Sequence, residues 1–152
     1  MRYAAHTSVS SERSKAEIER LLTRYGAASF ASGWQGDQAT IVFSMEDRRI
    51  KFVLPLPKMD AKEFTHSPTR NKRRSDTDAY KEWEQASRQR WRALALVVKA
   101  KLEAVESGIT SFESEFMAHI VLPDGKTVAE HAMPMIAAAY HSGKVQALLP
   151  GW

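Results

Sequence analysis

No cysteine occurs among the 152 residues. That excludes a disulfide framework, a thiolate zinc site and a cysteine nucleophile. Glycine is sparse, with seven scattered residues, so no glycine-rich loop is present to cradle a phosphate. There is no G-x-S-x-G element of the kind that presents a serine nucleophile. No apolar run approaches the ~20 residues of a membrane span. The stretch MRYAAHTSVSSERSK has no apolar core, so no secretory signal is expected.

What is present is a chain of single-domain size, 43% hydrophobic, with a net charge of +4. Such a chain buries about two thirds of its unfolded surface and needs no covalent staple. One domain over 1–152 is therefore expected. The charge is unevenly placed. Residues 48–101 hold 15 Lys and Arg against 6 Asp and Glu, a surplus of +9. Residues 1–47 carry −1 and residues 102–152 carry −4. The cations concentrate in the stretch SPTRNKRRSD, residues 67–76, which points to a patch rather than a diffuse field.

The hydrophobic period changes along the chain. SSERSKAEIERLLTRYGA reads as a helix with Ile18, Leu21, Leu22 and Tyr25 in one stripe, capped by Ser10 or Ser11, or by a Ser14–Glu17 box. ASFASGW, ATIVFSM and RRIKFVLPLP alternate with period two around the turns QGDQ and MEDRR, a three-stranded antiparallel meander with one buried face. Residues 58–76 read as a basic, mobile loop. Residues 77–107 give the longest helical signal, with Trp83, Ser87, Trp91, Leu94, Val98 and Leu102 on one stripe. The second half, ALALVVKAKLEAV, is apolar nearly all round, as expected of a central core helix. Capping boxes at Thr110–Glu113 and Thr127–Glu130 open two more helices. Pro134 kinks the second or starts a new one. The apolar tail VQALLPGW is expected to dock. The fold class is α+β, a three-stranded meander packed on a long central helix with additional C-terminal helices, in the order α-β-β-β-α-α-α.

The candidate interface follows from charge. Arg70, Lys72, Arg73 and Arg74 form a cationic knot. On the long helix, Lys81, Arg88, Arg92 and Lys99 fall within about 20° of one line. Arg49 and Lys51 point off the outer face of the third strand. Loop, helix edge and strand are expected to join into one surface. Guanidinium groups fork onto phosphate oxygens and release condensed counterions, so nucleic acid fits this pattern, single- or double-stranded. An acidic protein fits it as well, and a charge run is also a common solvated surface. Trp83 and Trp91 sit on the apolar stripe and belong to the core, although an exposed indole would stack on a base.

Catalytic constellations are thin. Glu115 and His119 share a helix face, with Glu113, Glu130 and His131 nearby, but the spacing is not HExxH and His119 lies near the apolar side. The strand order invites comparison with restriction-endonuclease-like nucleases. Their metal-binding carboxylates are missing here, since ATIVFSM has none and Arg49 occupies the place of the glutamate. No catalytic residue, metal or cofactor is therefore expected, and no enzyme.

LLTRYGA, RRIKFVLPLP, WEQASRQRWRALALVVKAKLEAVE and IVLPDGKTV together resemble a family of small proteins of tailed phages and prophages. That resemblance covers most of the chain and implies a setting of DNA replication, recombination or counter-defence in the cytoplasm of a host cell. The partner it implies is nucleic acid or a host DNA-handling protein, the chain acting on the latter as an inhibitor or accessory factor. By analogy of fold alone, the element order also looks like a double-stranded-RNA-binding domain or the core of single-strand annealing proteins. Self-association through the tail and the long helix is a further expectation.

Overall fold

The computed structural model describes residues 9–145, and for Val9 and Ser10 the backbone alone. The expected docking of VQALLPGW falls on residues beyond 145, outside the described residues, apart from the exposed Val145. The elements are α1 (Val9–Arg24), β1 (Ser29–Gln35), β2 (Gln38–Met45), β3 (Arg48–Pro55), α2 (Lys62–Thr65), α3 (Asp76–Glu106), α4 (Phe112–Phe116) and α5 (Val128–Ser142). A single 3₁₀ turn, Met117–His119, follows α4. The chain is thus α+β, with a sheet ordered β1-β2-β3, antiparallel throughout, the long helix α3 and further helices after it.

Two tight hairpins set the register. Gly36 has φ 59° in the two-residue loop between Gln35 and Gln38. Glu46 and Asp47 have φ 50° and 61° in the loop between Met45 and Arg48. Positive φ at both central positions is the type I′ geometry whose twist matches that of the flanking strands. Alternation then sends Ile41, Phe43 and Met45 of β2, with Ile50 and Phe52 of β3, to one buried face. The Phe43 ring stacks with Phe52 at 6.5 Å and meets Phe116 edge-on at 6.0 Å, so α4 closes the same core.

Helices α1 and α3 cover that face. Ile18, Leu21 and Leu22 of α1 join Trp91, Leu94, Val98 and Leu102 of α3 in the cluster. Lys15 lies 5.2 Å over the Trp91 ring, which buries the apolar stem of the lysine while its ammonium meets the ring face. Beyond β3, Val121 donates to the Arg49 carbonyl at 2.8 Å, and Val128 donates to that of Ile120 at 2.9 Å. This short pairing holds the start of α5 at the β3 edge.

Several expectations are corrected. α1 already runs at Val9, so Ser10, Ser11 and Ser14 lie inside it and none opens it. α4 is capped by Ser111, whose side chain accepts from Ser114, and not by Thr110. No new helix starts at Pro134: α5 runs through it, behind the expected Thr127–Glu130 capping box, which is present. The second half of α3 is not buried all round: Leu96 and Val97 are exposed. In a two-layer packing a helix buries only the side that meets the sheet and its neighbouring helix, whatever its outer side is made of.

The I′ turn generates a prediction. Glu46 and Asp47 bear the steric cost of left-handed backbone, which Asn-Gly avoids. The double substitution Glu46→Asn with Asp47→Gly should raise unfolding free energy by on the order of 1 kcal/mol in urea titration.

Candidate nucleic-acid interface

Residues 58–76 are not a bare loop. Phe64 of α2 is buried against Trp83 of α3, with Met59, Ala61, Tyr80 and Ala86 around them, in a second apolar cluster. The Trp83 indole donates to the Pro57 carbonyl at 2.6 Å. The chain then reverses. His66 bridges Arg73, Ser67 donates to the Lys72 carbonyl at 2.8 Å, and Asn71 donates to that of Ser67 at 2.9 Å. Asn71 takes φ 50°, which asparagine tolerates better than most residues. Arg74 donates through its backbone to Thr65 at 2.7 Å. Ser75 caps α3, accepting from the Asp78 amide at 3.2 Å. The basic knot is therefore the tip of a short hairpin-like reversal pinned at its base.

The cations of the knot divide by role. Arg74 turns inward: its guanidinium donates to the carbonyls of Glu63 at 3.1 Å and Phe64 at 2.9 Å. The same group stands 3.6 Å from the Glu82 carboxylate. The carbonyls belong to α2, whose last turn would otherwise leave them unsatisfied. Arg70, Lys72 and Arg73 are exposed, and among the described residues no carboxylate pairs with them.

The other candidates lie elsewhere. Lys81, Arg92 and Lys99 are exposed on α3, while Arg88 pairs with Glu84 at 3.5 Å. The segment 58–75, a strap across the N-terminal half of α3, meets that helix on the side of Glu82, Trp83, Ala86 and Arg90. At 100° per residue, that side lies roughly 155° round the axis from the Lys81–Lys99 line. Arg49 and Lys51 project from the sheet face opposite α3, and Lys51 is half-buried near Glu130. The single continuous surface expected from sequence does not form, because sheet and helix each interpose a layer between the groups. Trp83 and Trp91 are buried and unable to stack on a base.

Some anchoring residues carried no recognisable sequence signal. Arg90 donates to the Pro55 carbonyl at 2.7 Å, tying α3 to the end of β3. Lys101 pairs with Glu115 at 3.0 Å and sits 5.8 Å from the Phe116 ring. That pairing takes Glu115 out of the carboxylate–histidine set weighed above. His119 stacks on Phe52 at 4.0 Å. Burial first, then the nearby Lys101 charge, holds its pKa below the ordinary imidazole value, against a ring hydrogen bond to the Lys51 carbonyl. His131 meets Asp124 at 2.6 Å across the turn that leads into α5. The Asp124 pKa is lowered chiefly by the hydrogen bond from the Lys126 amide, with His131 adding to it. No group of three or more His, Asp or Glu among the described residues is placed to hold a metal ion.

Arg74 and Arg73 are adjacent in sequence and opposite in role, and their variants should differ accordingly. Arg74→Ala strands two carbonyls and should cost about 1–3 kcal/mol in denaturant unfolding. Arg73→Ala should stay within about 0.5 kcal/mol of the parent. For His119 the sign follows from its lowered pKa: the unfolded chain binds the proton more tightly. Its contribution to stability is present above the unfolded value of about 6.5 and is lost as pH falls toward the folded pKa. Proton-detected titration should place the His119 midpoint below the ordinary value, and Lys101→Met should move it up.

Neither the family models, nor the curated proteins, nor the solved structures compared with the chain give a match.

Proposed function

We propose that this protein binds nucleic acid without catalysis, through phosphate contacts made by Arg70, Lys72 and Arg73. The observation that carries the reading is the pinned reversal at 66–74, which holds three exposed cations on a base fixed by Phe64, Trp83 and Arg74. A preset tip loses little conformational entropy when it meets a backbone of phosphates. Guanidinium forks suit phosphate oxygens, and the neighbouring Ser67 and Thr69 are hydroxyl donors of the type that position a backbone. Such contacts carry no base information, so sequence preference should be weak. Lys81, Arg92 and Lys99 form a separate strip, which a strand long enough to pass around the α3 N-terminus would reach. The phage setting implied by the resemblance, in recombination, replication or counter-defence, belongs to the same proposal.

The test is a salt titration of binding to random single- and double-stranded oligonucleotides. With three phosphates engaged, the slope of log K against log salt should be about −3 on duplex and about −2 on single strands. Replacing Arg70, Lys72 and Arg73 together by Ala should remove most of that slope. A parent that fails to bind even near 50 mM salt, or a triple variant with unchanged slope, rejects the reading. In the first case, co-purification with an acidic host protein would become the better account of the knot.

A further inference from the structure

Helix α5 is covered along one side, where Val128, His131, Ala132, Met135, Ala138 and Ala139 are partly buried, and open along the other. It spans 15 residues, and none of its side chains is fully buried. Isolated helices of this length are marginal in water, and most helical stability comes from packing an apolar face. Yet α5 is strongly apolar. Between Glu130 and Lys144 there is no Asp, Glu, Lys or Arg. Met133 is 63% exposed, Ile136 46% and Tyr140 87%. Spacings of three and four put these three and Ala137 on one face. α3 also exposes Leu96 and Val97, but its opposite side is fully buried in two clusters, whereas the covered side of α5 is only partly buried.

We propose that α5 is a dimerisation helix whose apolar face packs antiparallel against α5 of a second copy of this chain. The face is self-complementary. Two antiparallel copies crossing between Ile136 and Ala137 set each Met133 against the Tyr140 of the other copy. The same crossing sets each Ile136 against the other copy's Ala137. Large meets small at the centre, and sulfur meets an aromatic ring on either side. A face free of charge suits contact with its own copy, because a two-fold axis would otherwise oppose like charges.

The area sets the strength. The exposed fractions of Met133, Ile136 and Tyr140 amount to about 400 Å² per protomer, taking roughly 200 Å² for a fully exposed side chain of this size. With Ala137 added, the two copies would bury at most about 900 Å² in total, the size of weak, transient contacts. The dimer should therefore be reversible, with a dissociation constant in the micromolar range.

Sedimentation of the full chain without nucleic acid, from about 1 to 200 µM, should show a concentration-dependent monomer–dimer equilibrium. Ile136→Glu should weaken association by at least about tenfold while leaving the circular dichroism of the rest of the fold intact. The chain has no cysteine, which permits a second, independent test. Ala137→Cys, beside the two-fold axis, should form an intermolecular disulfide on mild oxidation, and Leu96→Cys on α3 should not. A monomer at every concentration overturns the proposal. Equal cross-linking at 96 and 137, or unchanged association in Ile136→Glu, overturns it too.

Discussion

One buried stripe on one helix organises this protein. α3 runs for 31 residues, and its apolar side serves two separate clusters. From Trp91 to Leu102 it closes the main core against the sheet and α1. At Trp83, two turns nearer its N-terminus, it supports a smaller cluster under the strap. Trp83 is 2% exposed and spends its one polar atom on the Pro57 carbonyl. A buried indole N–H without a partner would cost part of what its burial contributes. The strap is thus held by apolar burial and by a satisfied donor at the same residue.

Cations in this chain act in two distinct ways. Arg74, Arg90 and Lys101 reach back onto carbonyls or a carboxylate and hold segments together. Arg70, Lys72, Arg73, Lys81 and Arg92 reach solvent. The first group spends its charge on groups that would otherwise be left unsatisfied, where a charge-assisted hydrogen bond is worth most. The second keeps its charge in water, where it acts through long-range attraction and counterion release. The overall surplus of positive charge therefore overstates the cations available to a partner.

Much of the architecture was legible in sequence, and the reasons are local. Period-two alternation in ATIVFSM and RRIKFV placed Ile41, Phe43, Ile50 and Phe52 on one face, as found. The Thr127–Glu130 box marked the start of α5 because a capping interaction involves only neighbouring residues. The cap of α4 went to Ser111 instead, since adjacent hydroxyls compete for one position and the path of the chain decides between them. The strap looked like open loop because α2 is only four residues long and carries one anchoring side chain, Phe64, whose partner lies nineteen positions away.

By itself, the sequence determined the fold class, the three strands, the inward faces and the position of the basic knot. Those depend on spacing and composition along the chain. Only the tertiary structure decided that Arg74 is an anchor while Arg73 beside it is free. The tertiary structure also put Arg49 and Lys51 on the sheet face away from α3, and left Met133, Ile136 and Tyr140 of α5 exposed. These outcomes depend on which surfaces meet. Two residues with the same charge and adjacent numbers differ once the backbone turns one toward unsatisfied carbonyls and the other toward water.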